Sequence, residues 1–263
     1  MDKPMDHEIL TQFLFYPRPI SESEIPPSEH GTVHRYESGN GEKISAYLYR
    51  SLPDAPTALF FHGNGEVLSD YAGDLTMMFS RIGVNLCVVD YRGYGLSEGA
   101  PSLSKILEDG RATWDYFTGE VGIAPEDIIL FGRSMGSIPA IDLASSVDNK
   151  FKCLIVESGI SGFERWIERL EPMIKQLGMD IDALKADLRK NLDHKAKIDK
   201  VEKPILILHT ERDSIVPSWN ARDLYEWAGP EKAKIKIFER GDHNSIFYYN
   251  GDKYLEIVRN FMA

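Results

Sequence analysis

Short, continuous apolar runs alternate with segments of helical periodicity along most of this chain. Such runs are typical of strands that are buried on both faces of a parallel sheet. They are Ala58–Phe61, Val84–Val89, Ile128–Phe131, Cys153–Val156, Ile205–Leu208 and Ile235–Phe238. The segments between them predict helices at Glu66–Arg81, Ser102–Phe117, Ser137–Ser145, Ser218–Trp227 and Ser245–Met262. This alternation predicts an α/β fold with a mostly parallel central sheet and helices on both faces.

The pattern is different ahead of these runs. Thr32–Tyr36 and Lys43–Tyr49 contain alternating apolar residues on either side of Ser38-Gly39-Asn40-Gly41. Asn-Gly between two such segments is a strong hairpin signal, so the sequence predicts an N-terminal antiparallel hairpin at one edge of the sheet. Residues 1–30 are rich in Pro and Glu, and they predict an extended lead-in.

Residues 159–200 interrupt the alternation of strands and helices. Pro172 is expected to divide the first part into two helices, and Asp180 is expected to cap a further one. Apolar residues fall at helical spacing throughout: Trp166, Ile167, Leu170, Met173, Ile174, Leu177, Leu184, Leu188 and Leu192. Two interpretations stay open, a helical decoration that packs on the body and a small lid over a binding site. In both, residues 1–263 form a single domain that contains this insertion.

Composition and charge narrow the class of protein. The 263 residues are 43% hydrophobic and 27% charged, the balance of a soluble globular domain. A net charge of −11 disfavours binding to nucleic acid or to an anionic lipid surface. We expect no integral membrane segment, and the N-terminus shows no secretory signal, so a cytoplasmic location is expected. Cys87 and Cys153 lie in apolar runs and are expected to be buried free thiols.

The sequence Gly132-Arg133-Ser134-Met135-Gly136 joins an apolar run to a helical segment. A G-x-S-x-G turn between strand and helix holds its central residue in a strained backbone and lifts that side chain out of the sheet. The two glycines leave room for the strand and the helix to approach each other. The pattern predicts Ser134 as a nucleophile beside the free amides of the helix start. Without partner residues, an ordinary glycine-rich turn is the alternative interpretation.

A nucleophilic serine needs a base that takes its proton and an acid that orients this base. His243 follows the last predicted strand, at the carboxyl edge where an open α/β sheet keeps its chemistry, and it is the expected base. Asp213 follows the preceding strand and is the favoured acid, with Glu157 as the alternative. The other histidines are expected to brace turns (His62 and His209) or to lie on the surface (His7, His30, His34 and His194).

Acyl transfer also needs N–H donors for the negative oxygen of the tetrahedral intermediate. The amide of Met135, directly after the serine, is one expected donor. The loop that follows Ala58–Phe61 reads His62-Gly63-Asn64-Gly65, and its glycines let the backbone approach closely. We therefore expect the Asn64 amide to be the second donor of this oxyanion hole.

Together these motifs resemble the α/β-hydrolase superfamily, in particular its small esterase, thioesterase and serine-aminopeptidase-like branch. The resemblance spans residues 57–260. Its motifs are Phe60–Gly65, Asp90–Gly99, the Ser134 turn, the Asp213 loop and Gly241–His243. It implies Ser134 as nucleophile, Asp213 as acid and His243 as base, in the chain order of α/β-hydrolases. It also implies that the Asp90–Gly99 loop braces the oxyanion loop, whereas it assigns no role to Arg133.

The sequence therefore predicts a serine hydrolase that cleaves a carboxylic ester, or a thioester, through an acyl-enzyme on Ser134. The expected partner is a small-molecule substrate with an apolar acyl group, because the insertion is rich in Trp, Met and Leu. No metal or cofactor is expected, since the sequence has no H-E-x-x-H and no G-x-G-x-x-G that opens a βαβ unit. An aminopeptidase or amidase with the same triad is one alternative, and a non-catalytic binding protein is another.

Overall fold

A single β-sheet organises the chain. The computed structural model describes residues 3–39 and 41–262, and within these the sheet has eight strands. They are β1 (Gly31–Ser38), β2 (Glu42–Tyr49), β3 (Thr57–Phe61), β4 (Asn85–Asp90), β5 (Ile128–Arg133), β6 (Cys153–Glu157), β7 (Ile205–Thr210) and β8 (Ala233–Phe238). Their order across the sheet is β1-β2-β4-β3-β5-β6-β7-β8. The strands from β3 to β8 pair in parallel, which confirms the predicted mostly parallel sheet.

The predicted hairpin forms one edge of this sheet. β1 and β2 pair antiparallel, with Gly31 opposite Tyr49 and Ser38 opposite Glu42, and β2 then pairs antiparallel with β4. The hairpin strands are longer than the sequence predicted, and the expected turn residue Asn40 lies outside the described residues. At the opposite edge, Lys234 of β8 is exposed, and a lysine on an edge strand opposes pairing with another chain.

Helices cover both faces of the sheet, as predicted. They are α1 (Glu8–Leu14), α2 (Asp74–Arg81), α3 (Leu103–Gly119), α4 (Ser137–Ser146), α5 (Glu164–Gln176), α6 (Ile181–Leu192), α7 (His194–Asp199), α8 (Trp219–Ala228) and α9 (Ile246–Met262). Alternate residues of β3 show why its apolar run is continuous. Leu59 and Phe61 pack with α3, α4 and α8 on one face, whereas Ala58 and Phe60 pack with α2 and α9 on the other. Of the helices described, none is long and apolar enough to cross a membrane.

The insertion between β6 and β7 contains α5, α6 and α7. The expected division at Pro172 is wrong, because α5 runs through this residue as one helix. Its apolar face continues past the proline, and Ile167 and Ile174 are both buried in the main core, so tertiary packing holds the helix together. Asp180 caps α6 as predicted, and its carboxylate accepts a hydrogen bond of 3.0 Å from the Ala183 amide.

The N-terminal segment is more structured than the predicted extended lead-in. It contains α1, and it buries Met5, Leu10 and Phe15 in the same core as α3 and α4. Residues 9, 10, 13 and 14 are apolar and fall at helical spacing, a signal that the nearby prolines at positions 17 and 19 obscure. This segment reaches the candidate site.

Candidate active site

The turn at Ser134 has the strained geometry that its sequence predicts. β5 ends at Arg133, and Ser134 has a φ of +52°, in the left-handed region that disfavours residues with a Cβ. A Cβ on Gly132 would lie 2.6 Å from the Ser137 Cα, and one on Gly136 would lie 1.9 Å from the Phe61 carbonyl oxygen. Only glycine at both positions lets α4 begin this close to β5 and β3.

Ser134, His243 and Asp213 form a continuous hydrogen-bonded chain. The His243 Nε2 lies 2.9 Å from the Ser134 Oγ, and the His243 Nδ1 lies 2.7 Å from the Asp213 Oδ2. The three residues come from loops that follow β5, β8 and β7, so the parallel sheet brings them together at its carboxyl edge. With Nδ1–H donating to the carboxylate, Nε2 is left as the acceptor for the serine hydroxyl.

Asp213 is held as an ionised acceptor in its loop. Its Oδ1 accepts hydrogen bonds of 3.0 Å and 2.8 Å from the amides of Ile215 and Val216. Burial alone would raise the pKa of Asp213, but the hydrogen bonds it accepts, His209 and His243 foremost, hold that pKa well below its ordinary value. His209 itself donates 2.7 Å to the Val216 carbonyl oxygen, and so braces the loop as expected.

Glu157, the alternative acid, does not face the His243 ring. Its Oε1 lies 3.1 Å from the Arg133 Nε, and its Oε2 accepts a hydrogen bond of 2.5 Å from the Tyr254 hydroxyl. Both carboxylate oxygens are therefore occupied, which favours Asp213 as the acid.

Arg133 belongs to a buried network that sequence reasoning did not find. Its side chain is 9% exposed, and it pairs with both Glu66 and Glu157. Its Nη2 donates to the main-chain oxygen of His243, and Glu66 accepts a hydrogen bond of 2.7 Å from the Gly63 amide. The network thus joins the oxyanion loop, the Ser134 turn and the histidine loop. The sequence signal for this network was a charged residue next to the candidate nucleophile that had no other assigned role.

The two expected oxyanion donors lie beside the candidate nucleophile. Asn64 and Met135 line the same cavity as Ser134. Among the turn and loop hydrogen bonds of the described residues, neither the Asn64 nor the Met135 amide has an acceptor, so both are available to a substrate oxygen. His62 is fully buried, and its Nδ1 lies 2.8 Å from the Gly63 carbonyl oxygen, in keeping with the expected bracing role.

The Asn64 side chain also fixes the N-terminal segment at this site. Its Nδ2 donates 2.7 Å to the Leu14 carbonyl oxygen, and its Oδ1 accepts hydrogen bonds from the Tyr16 amide and the Tyr94 hydroxyl. Tyr94 comes from the Asp90–Gly99 loop. That loop therefore supports the Asn64 turn, as the resemblance implies.

A cavity of about 530 Å³ opens beside Ser134. Its walls come from α1, from α5 and the segment that precedes it, and from the Asp213 loop and the start of α8. The residues that line it are mainly apolar: Phe13, Leu14, Phe15, Asn64, Leu103, Ser134, Met135, Ile138, Ile160, Gly162, Phe163, Arg165, Trp166, Arg169, Ile215, Val216, Pro217, Trp219 and Asn220. The α1 residues were missed by sequence reasoning. α5 contacts both the core and the cavity, and the role of the insertion as a lid stays a prediction.

One of the expected surface histidines is buried. His194, at the start of α7, is 1% exposed, and its Nδ1 lies 2.8 Å from the Ile160 carbonyl oxygen. Burial lowers the pKa of His194 to about 4. The sequence did not reveal this because neighbouring polar residues suggested an exposed helix.

The fold and the arrangement around Ser134 define an α/β hydrolase of the serine-hydrolase type. Residues 54–180 match the family model described as "Serine aminopeptidase, S33". The chain is 30% identical over 243 residues to "Alpha/beta hydrolase domain-containing protein 17C" of Xenopus tropicalis. The matched region covers 88% of this chain and 69% of the relative. The chain therefore belongs to the α/β-hydrolase superfamily.

Solved structures show the same fold at low sequence identity. An esterase from Pyrococcus furiosus superposes with a TM-score of 0.71 and 15% identity, over 95% of this chain and 97% of that chain. A puromycin-hydrolyzing peptidase from Mycobacterium tuberculosis superposes with a TM-score of 0.71 and 19% identity, over 90% of this chain and 40% of that chain. The two neighbours differ in activity, so the choice of substrate has to be argued from this chain's own cavity.

Proposed function

We propose that this chain is a serine hydrolase that cleaves carboxylic esters or thioesters of an apolar acyl group. The observation that carries the proposal is the hydrogen-bonded chain from Ser134 through His243 to Asp213, with distances of 2.9 Å and 2.7 Å. A scaffold used solely for binding has no need of this geometry or of the strained serine at its end.

In the proposed mechanism, His243 Nε2 takes the proton of the Ser134 hydroxyl as the oxygen attacks the acyl carbonyl. The Asn64 and Met135 amides donate hydrogen bonds to the oxyanion that forms. The carbon–oxygen or carbon–sulfur bond then breaks, and the histidine gives its proton to the leaving alcohol or thiol. A water, deprotonated by the same histidine, attacks the acyl-enzyme and releases the acid. Asp213 keeps the imidazole in the required tautomer throughout.

The cavity walls support an ester or thioester over an aminopeptidase substrate. Recognition of a free α-amino group needs a carboxylate to pair with the ammonium. Among the described residues that line the cavity there is no Asp or Glu, whereas Arg165 and Arg169 are present. These cations would repel an ammonium group. The phenyl and indole walls instead suit an apolar acyl chain.

Hydrolysis of p-nitrophenyl butyrate by the purified chain tests this proposal. We expect Ser134→Ala to abolish turnover and labelling by a fluorophosphonate probe, with an unchanged circular dichroism spectrum. Ser146→Ala is the matched control, because Ser146 is an exposed serine at the end of α4, the helix that follows the Ser134 turn. Turnover that survives Ser134→Ala would contradict the mechanism, and a folded wild-type chain that neither reacts with the probe nor cleaves the ester would favour a binding protein.

A further inference from the structure

The charged residues of α5 that line the cavity are all basic. The helix carries acidic residues at positions 164, 168 and 171 and basic residues at positions 165, 169 and 175. Arg165 and Arg169 line the cavity beside Ser134, and no glutamate of the helix does so among the described lining residues. The two arginines are four positions apart, so they lie on the same face of the helix, one turn from each other.

Arg165 is fixed against the cavity wall. Its guanidinium carbon lies 4.0 Å from the centroid of the Trp219 ring, an arrangement that holds the charge over an aromatic face that also lines the cavity. Asp223 approaches it at 3.8 Å and shields part of its charge. Its side chain is nevertheless 59% exposed, so donors remain free for a ligand.

Arg169 contributes the less shielded charge. It lines the cavity and is exposed, and no ion pair of the described residues includes it. The whole chain is acidic, with a net charge of −11, which makes two guanidinium groups at one cavity, one of them outside every ion pair of the described residues, unusual for this chain. An apolar, low-dielectric wall strengthens the local field of such cations. The cavity therefore combines an apolar interior with a positive rim.

We propose that Arg165 and Arg169 form a subsite for an anionic group of the substrate, a carboxylate or a phosphate. This inference rests on the proposed function and names its substrate class: an acyl ester or thioester that joins an apolar acyl chain to an anion. Arginine is suited to this task because its planar donors match carboxylate and phosphate oxygens in pairs. The anion is carried either at the far end of the acyl chain or on the leaving group.

Four substrates of equal acyl length distinguish these two sources. p-Nitrophenyl hexanoate is neutral, and the mono-p-nitrophenyl ester of adipic acid adds a carboxylate to the acyl chain. The S-hexanoyl thioester of N-acetylcysteamine is neutral, and hexanoyl-coenzyme A adds phosphates to the leaving group. Each anionic substrate is compared with the neutral substrate that has the same type of leaving bond. We expect Arg169→Gln to lower kcat/KM about tenfold for one anionic substrate, and to change kcat/KM of the matching neutral substrate less than about twofold. Arg165→Gln should act in the same direction, and the double variant should lose more.

Arg189→Gln is the control variant. Arg189 is an exposed arginine near the end of α6 and is not among the cavity residues, so its loss removes the same charge from the same insertion. We expect it to leave all four values of kcat/KM unchanged. Equal losses on charged and neutral substrates in the Arg169 variant, or no loss at all, would overturn the subsite.

A binding measurement separates failure of the subsite from failure of the proposed function. Adipate and coenzyme A can be titrated onto the Ser134→Ala protein and onto the same protein with Arg169→Gln. Weaker binding of one of them after loss of Arg169 supports the subsite even if no ester is cleaved. Identical binding in both proteins refutes the subsite even if the esterase activity is established.

Discussion

Arg133 donates a hydrogen bond of 3.0 Å from its Nη2 to the main-chain oxygen of His243. The residue directly before the candidate nucleophile therefore holds the loop that carries the candidate base, across the end of the sheet. Through Glu66 the same guanidinium is tied to the Gly63 amide of the oxyanion loop. One buried side chain thus links the candidate nucleophile, the candidate base and the loop of the candidate oxyanion donor, and we infer that Arg133 is a positioning residue.

The first prediction follows from this placement. Arg133→Lys keeps the charge but lacks the planar donors, so it cannot reach Glu66, Glu157 and the His243 carbonyl together. We expect kcat on p-nitrophenyl butyrate to fall roughly 10- to 100-fold, because a displacement of about 1 Å at a catalytic group costs up to about 10²-fold. KM should change little, since Arg133 is not among the residues that line the cavity.

Arg111→Lys is the control for this variant, because Arg111 pairs with Asp142 through a largely exposed side chain and is not among the cavity residues. A fall in thermal stability of the Arg133 variant with unchanged kcat would show that the network supports only the fold.

The second prediction distinguishes Asp213 from Glu157. Asp213→Asn removes the acceptor that fixes the histidine tautomer, and kcat should fall roughly 10³- to 10⁴-fold with the fold retained. Glu157→Gln removes a charge that pairs with Arg133, so it should lower the free energy of unfolding by about 1–3 kcal/mol and reduce kcat much less. Steady-state kinetics and urea unfolding of both variants check this, and the opposite ranking of kcat would assign the acid role to Glu157.

Much of this arrangement was predictable from local sequence, for identifiable reasons. The apolar runs predicted the inner strands β3 to β7, because strands that are buried on both faces do not alternate between apolar and polar residues. The strained backbone of Ser134 was predictable from the two glycines of its turn, because the space they leave depends on the local sequence alone. The proximity of Asp213 and His243 to the serine followed from the rule that parallel strands end at one edge.

The parts that were missed depend on contacts between distant segments. Phe13 reaches the cavity as part of a segment that the Asn64 side chain binds at Leu14, a contact across 50 positions. His194 is buried because the start of α7 packs near Ile160, although its neighbours in sequence are polar. Pro172 was expected to end a helix, but the buried apolar face of α5 outweighs the lost hydrogen bond.

A third prediction concerns the backbone strain at Ser134. Replacing alanine by glycine ordinarily destabilises a folded chain by about 0.5–1 kcal/mol. At Ser134 the φ of +52° reverses this order, because a Cβ in that conformation costs about 1–2 kcal/mol. Ser134→Gly should therefore be more stable than Ser134→Ala by up to about 1.5 kcal/mol, with both inactive. Urea unfolding of the two variants measures the difference, and a more stable alanine variant would contradict stored strain at this turn.

The fourth prediction is a pH dependence of stability set by His194. Its pKa is lowered by burial from 6.5 to about 4, so between these values the unfolded chain binds more protons than the folded one. The contribution of His194 to the free energy of unfolding is fully present above pH 6.5 and is lost as the pH falls toward 4. Its complete loss would lower the free energy of unfolding by about 3 kcal/mol.

His194→Asn tests this assignment, because its amide can still donate to the Ile160 carbonyl oxygen. The variant should show a flatter decline of unfolding free energy between about pH 7 and about pH 4.5. His30→Gln, at an exposed histidine, should leave the decline as in the wild type. Equal slopes in the His194 variant and the wild type would place the acid sensitivity elsewhere.

The fifth prediction concerns the wall that α1 adds to the cavity. Phe13 is 50% exposed and lines the cavity, so its ring is available to cover an acyl chain that extends from Ser134. An acetyl group is too short to make this contact, whereas an octanoyl chain would shield about 40–60 Å² of apolar surface, worth about 1–1.5 kcal/mol. Phe13→Ala should lower kcat/KM for p-nitrophenyl octanoate roughly five- to tenfold and leave kcat/KM for the acetate ester nearly unchanged.

Tyr248→Ala is the matched control, because Tyr248 is 83% exposed and is not among the residues that line the cavity. A uniform loss on both esters would mean that Phe13 stabilises the N-terminal segment without touching the acyl chain, and the cavity wall that selects chain length would then have to come from α5.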